Sequence, residues 1–181
     1  WSSDVCSSDL FQMVEKFGYD AATITLLYLL NHVINMFLAP KIGKLIGKWG
    51  ERRALVFEYT GLFIVFVSYA FVENHILAGG LYVIDHMFFA LAIAIKTYFQ
   101  KIANPADISS TAGVSFTINH IAAVFIPAAF GLLWLVSPSA VFLAGGAMAF
   151  VSLVLALNVP NDPEPGNEVV RGYKGPEAVP A

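Results

Sequence analysis

The chain is poor in charge. Of its 181 residues only 13% are Asp, Glu, Lys or Arg, whereas 57% are hydrophobic. A soluble domain typically carries about 25% charge. Half of that cannot wet the surface of a 20 kDa globule, so an ordinary soluble domain, a coiled coil and a disordered chain are excluded. There is no basic surplus either. The net charge is −3, which removes nucleic acid from the expected partners. One cysteine cannot build a disulfide scaffold. Alternation of period two is absent, so barrel strands are not expected. Metalloprotease (H-E-x-x-H) and nucleophile-elbow (G-x-S-x-G) patterns are missing, and Gly43 to Gly47 lacks the G-K-[ST] ending of a phosphate loop. No enzyme chemistry is therefore expected.

What is present is long apolar runs, with a mean hydropathy of +0.69. Five stretches read as spans: 21–39 (ended by Pro40), 54–72, 77–99, 111–136 and 140–159. The shortest, at 1.5 Å per residue, reach about 28 Å, enough for a bilayer core. The expected class is all-α: a polytopic helical membrane protein. Orientation follows from Lys and Arg. Lys41, Lys44, Lys48, Arg52, Arg53, Lys96, Lys101, Arg171 and Lys174 fall on one side, and Lys16 alone does not. The rich side is expected to be cytoplasmic, and with it the C-terminus. Residues 160–181 hold five of the nine prolines and read as a disordered cytoplasmic tail.

The first ten residues, WSSDVCSSDL, are unlike the rest. They lack the basic start and apolar core of a signal peptide. The string resembles the translation of a sequencing-library adapter, which implies a non-native segment, 1–10, fused to a truncated frame. Residues 11–20 read as an external loop or the stump of a preceding helix. An outside start with five spans fits a fragment whose earlier spans are missing.

The stretch Ala39 to Arg53 carries the most specific pattern. Gly43 and Gly47 would let helix ends approach closely, and Gly50 permits a tight turn. Lys48, Arg52 and Arg53 supply a basic cluster at helix ends. These residues resemble the signature loop of the major facilitator superfamily, roughly G-x-x-x-D-[RK]-x-G-[RK]-[RK]. Gly43, Lys48, Gly50, Arg52 and Arg53 match in type, although Glu51 sets the basic pair one place late and Gly47 replaces the acid. That loss is typical of the family's weaker second copy. The resemblance implies helices eight to twelve of a twelve-helix, two-bundle secondary transporter, over residues 11–160, with the N-terminal half of the same protein missing. It implies a small-molecule solute as partner, a bilayer as setting and no cofactor. A bacterial inner (plasma) membrane is the expected location.

Polar groups inside spans are costly and usually face a cavity or a partner helix. Asn31, His32 and Asn35 lie in the first span, Tyr82, Asp85 and His86 in the third, and Asn119 and His120 in the fourth. All eight are candidates for solute binding or proton coupling near mid-depth. Asp85 leads, because a carboxylate is the costliest of them, with His86 or His120 as its expected partner. Glu58, near Arg52 and Arg53, reads as a structural ion pair. Imidazole titrates near neutral pH, so protons are a candidate coupling ion. The rival reading is a membrane redox protein whose b-type haem is held by two of His32, His86 and His120.

Overall fold

The computed structural model describes residues 2–172, with the side chains of 2–8 set aside. Its described residues form seven α-helices and no strand. They are α1 (Ser2–Glu15), α2 (Ala21–Trp49), α3 (Glu51–Phe71), α4 (His75–Phe89), α5 (Ile93–Ile102), α6 (Ile108–Val136) and α7 (Pro138–Leu157); one 3-10 turn (Ala90–Ala92) joins α4 to α5. With that joint counted as one span, five helical stretches are long and apolar enough to cross a membrane: Ala21–Trp49, Glu51–Phe71, His75–Ile102, Ile108–Val136 and Pro138–Leu157. The chain is an integral, all-helical membrane protein with five spans.

Local chemistry accounts for the breaks. The Asp20 carboxylate caps α2 by accepting a hydrogen bond from the Thr23 amide at 3.0 Å. That bond holds the exposed Asp20 carboxyl below its ordinary range. Asn74 caps α4, accepting from Ile76 N at 2.8 Å and Leu77 N at 3.4 Å. Pro138 stands in the first turn of α7, where its missing N–H costs nothing. Gly50 alone separates α2 from α3. Its φ of 83° is open to glycine and strained for other residues, and its N–H closes the last turn of α2 on Ile46 O.

Pro40 does not end the first span. It sits inside α2, and the helix runs nine residues past it to Trp49. Membrane-spanning helices tolerate such a proline because neighbouring groups and small local changes of helix geometry re-satisfy the freed carbonyl. The supposed loop 39–53 is thus mostly helix, with its turn confined to Gly50. Gly43 and Gly47 meet no neighbouring atom within 4 Å of an added Cβ, so they serve no close approach within the described residues.

The core is built around α3. Its main partner is α7, whose Gly145 and Gly146 bring the backbone to within van der Waals reach of Phe66 and Val67. Tyr69 and Phe142 stack at 5.1 Å, and Ser139 Oγ donates to Ala70 O at 2.8 Å. α4 crosses the other side of α3. There the Phe88 ring occupies the space a Cβ on Gly61 would need, at 2.2 Å. A second cluster, including Ile42, Ile46, Leu55, Leu91 and Ala156, closes the basic end. Lys101 Nζ bonds Glu51 Oε1 at 2.8 Å there. At the opposite end Lys16 Nζ donates to Val72 O at 2.7 Å, a cation on the C-terminus of α3.

The tail, expected to be disordered, is tied down over its described part. Asn158 exchanges two side-chain hydrogen bonds with the Arg171 backbone, each 2.7 Å, and its carbonyl accepts from Val170 N at 2.8 Å. Tyr98 Oη donates to Glu168 O. Val159, Pro160 and Pro163 at the start of the segment are buried as well. Lys174 lies outside the described residues.

Candidate functional site

The centre of interest is Asp85. It lies on α4, fully buried, and neither carboxylate oxygen makes a well-formed hydrogen bond. His86 Nδ1 stands 3.9 Å from Asp85 Oδ2 but 2.9 Å from Tyr82 O. The shorter contact is the hydrogen bond, so Nδ1–H donates to the carbonyl one turn back. The Tyr82 and His86 rings lie 4.2 Å apart.

The same unit occurs twice more. His32 Nδ1 is 3.0 Å from Tyr28 O, with rings 4.2 Å apart. His120 Nδ1 is 2.9 Å from Phe116 O, with rings 3.9 Å apart. An aromatic residue four places before each histidine fixes the ring and its tautomer. All three spacings, Tyr28-x-x-x-His32, Tyr82-x-x-x-His86 and Phe116-x-x-x-His120, are plain in the sequence.

The structure brings α2 and α4 together and leaves α6 apart. α2 packs on α4, and His32 and His86 lie within electrostatic reach of one another. Each is eleven residues from the first residue of its helix, a depth of about 16 Å. Asn31 is buried, at 1% exposure, with both amide atoms unpartnered. Asn35, one turn on, has an unpartnered carbonyl oxygen. A buried amide in this condition costs about 1–3 kcal/mol unless something else satisfies it.

His120 does not reach Asp85. α1 packs against both α4 and α6, and Phe11 meets Trp134 of α6 edge-on at 5.0 Å. Asn119 and His120 are exposed on a helix that has no buried residue. The neighbour Asp85 does acquire is Asp9 of α1. The two buried carboxyls are close enough to feel one another's charge without a well-formed hydrogen bond. Gln12, one turn along α1, is also buried, and its carbonyl oxygen is unpartnered. Like charges repel strongly in a low dielectric, and a proton or a small cation between them relieves it. Sequence reasoning singles out neither residue, because Asp9 falls in the segment 1–10 that the adapter resemblance implies is non-native and Gln12 in the stretch 11–20 read as a loop or stump.

The ion pair expected at Glu58 is made by Glu51 instead. Glu58 is buried and faces no cation among the described residues, and its Oε2 has no partner. Lys101, at the end of α5, reaches the start of α3 and meets Glu51 first. Arg52 and Arg53 pair with neither carboxylate. Among the described residues no cluster of three or more His, Cys, Asp or Glu forms a metal site. Compared with known families, with curated proteins and with solved structures, the chain matches none.

Proposed function

We propose that the chain belongs to a secondary active transporter that moves a small solute by alternating access, with a proton as the coupling ion. The observation that carries this reading is the buried, unsatisfied polar group at mid-span: Asp85 beside His86 on α4, with Asn31 and His32 on the adjoining α2. Carboxylates and amides left without partners in hydrocarbon are expensive, and binding is the function that repays them. Further support comes from α2 and α6, which leave most of their surface uncovered. In this reading a second helical bundle, the N-terminal half of the same protein, lies against them and completes the solute cavity. The major facilitator superfamily resemblance of 39–53 agrees with that placement. The basic end then faces the cytoplasm, and the setting is a bacterial inner membrane.

The test is uptake against pH in the intact transporter, wild type and Asp85→Asn at matched membrane levels. The substitution keeps the shape and removes the charge. Gradient-driven accumulation should be lost while solute exchange persists. Unaltered accumulation and an unaltered pH profile would reduce Asp85 to a packing residue.

One observation favours the rival reading of a haem protein. His32 and His86 sit at matched depth on packed helices, each eleven residues from the start of its helix. Purified protein with a Soret band that His86→Ala removes would establish it over the transporter.

A further inference from the structure

The basic end carries a groove that the transport reading does not use. It runs between α3 and the end of α7, with a volume of about 570 Å³. Arg52, Arg53, Trp49 and Asn161 form its mouth. Val56, Phe57 and Leu157 also line it, and Thr60 is its lining residue furthest along α3 from the arginines. Thr60 is eight residues along α3 from Arg52, about 12 Å further into the membrane. The Trp49 ring meets Phe57 edge-on at 6.2 Å and braces one wall.

Two features set this groove apart from an ordinary positive surface. Neither guanidinium has an ion-pair or hydrogen-bond partner among the described residues, because Glu51, the nearest acid in sequence, is engaged by Lys101. The lining also changes along α3, from the charged Arg52 and Arg53 at its start to the apolar Val56 and Phe57 one turn on. We propose that this groove seats an anionic phospholipid, its phosphodiester between Arg52 and Arg53 and the first part of an acyl chain along Val56, Phe57 and Leu157. Arginine suits the head, since its planar fork matches a phosphate in two-pronged fashion. Tryptophan suits the mouth, where its amphipathic ring sits at headgroup level. A free phosphate would use the mouth and leave the apolar walls empty. The volume is many times the roughly 30 Å³ of one water molecule and exceeds what a lone phosphate fills. The inference needs the chain to be in a membrane and is independent of what it transports.

Trp49 is one of three tryptophans, with Trp1 and Trp134. The full chain with Trp1→Phe and Trp134→Phe, in detergent micelles, reports on the groove through quenching of Trp49 by lipids brominated on the acyl chain. Brominated phosphatidylglycerol should quench at a lower mole fraction than brominated phosphatidylcholine, by roughly fivefold for each guanidinium involved. Arg52→Gln with Arg53→Gln should abolish that preference, and Lys41→Gln with Lys44→Gln should leave it. Thr60→Phe fills the end away from the arginines without touching charge and should weaken quenching by both lipids while helicity is unchanged. Equal quenching by the two lipids would overturn the proposal. So would a preference that survives the double arginine change, which assigns it to the general basic surface. Displacement by millimolar inorganic phosphate would mark a simple anion site, and indifference to Thr60→Phe would mark surface attraction only; either outcome also overturns it.

Discussion

The pair α3–α7 and the helix α6 are both apolar enough to span, yet they are packed in opposite ways. In the most apolar 18-residue stretch of α3, 44% of residues are buried; in that of α6, 6% are. Hydropathy does not explain the difference, since α6 matches α3 at 1.8. Small residues do. Gly145 and Gly146 let α7 lie directly on Phe66 and Val67, whereas Gly113 and Gly131 of α6 face open space. Lipid tails are as apolar as leucine, so close backbone approach, not apolarity, selects neighbours in a membrane. α6 also keeps polar groups on its surface. Thr117 satisfies itself on Gly113 O at 3.0 Å and His120 on Phe116 O, while Asn119 has no such bond. In the proposed transporter this is a surface that the second bundle would cover.

The contrast breaks most sharply through aromatic truncation. Phe142 is 1% exposed and stacks on Tyr69, so Phe142→Ala should cost on the order of 3–5 kcal/mol. Phe125 of α6 is 69% exposed, and Phe125→Ala should change stability little. Unfolding of the purified chain in mixed micelles, followed by denaturant-dependent loss of helicity, measures both. Equal losses would mean that α6 is as tightly packed as α7.

A smaller effect comes from filling glycines. Gly146→Leu must push against the side chains of Val67, Phe66 and Phe63, at a cost of about 1–3 kcal/mol. Gly131→Leu meets nothing and should be close to neutral in the same assay. In the proposed two-bundle transporter the second change should become harmful, because the partner bundle would cover α6. Comparing Gly131→Leu in the two settings therefore sharpens the comparison into a test of that proposed neighbour.

The smallest effect lies outside both regions, at the start of α2. Asp20→Ala removes the cap and should fray the first turn, read as faster amide exchange at Thr23 and Ile24. The Asp20 carboxyl is held below its ordinary value, so its contribution is present above that value and fades as pH falls through the depressed range. Wild type and variant should differ at neutral pH and converge in acid. A difference that grows on acidification would contradict the cap.

The spans were legible because length and apolarity are written residue by residue. Pro40 misled, since the rule that proline ends helices comes from water, where freed backbone groups find solvent. The 3-10 turn at Ala90–Ala92 has no proline or glycine to announce it. The unit Tyr82, Asp85 and His86 was legible because it lies within one helix. Whether His120 or Asp9 faces Asp85 depends on which helices are neighbours, and that is decided by α1 standing between α4 and α6. Glu51 and Glu58 were exchanged for the same reason: Lys101 arrives from fifty residues away, and nothing near Glu51 foretells it.

Gly50 gives α2 a mechanical advantage. The joint between α2 and α3 is a single residue, and α2 extends about 43 Å from it. α3 is held firmly by α7 and acts as the fixed post. α2 has few buried residues along its length and acts as the arm. A rotation of about 5° at this pivot carries the far end of α2 by about 4 Å. Any movement at this joint would be smallest beside the core-bound Ile42 and Ile46 and largest at the opposite face of the membrane.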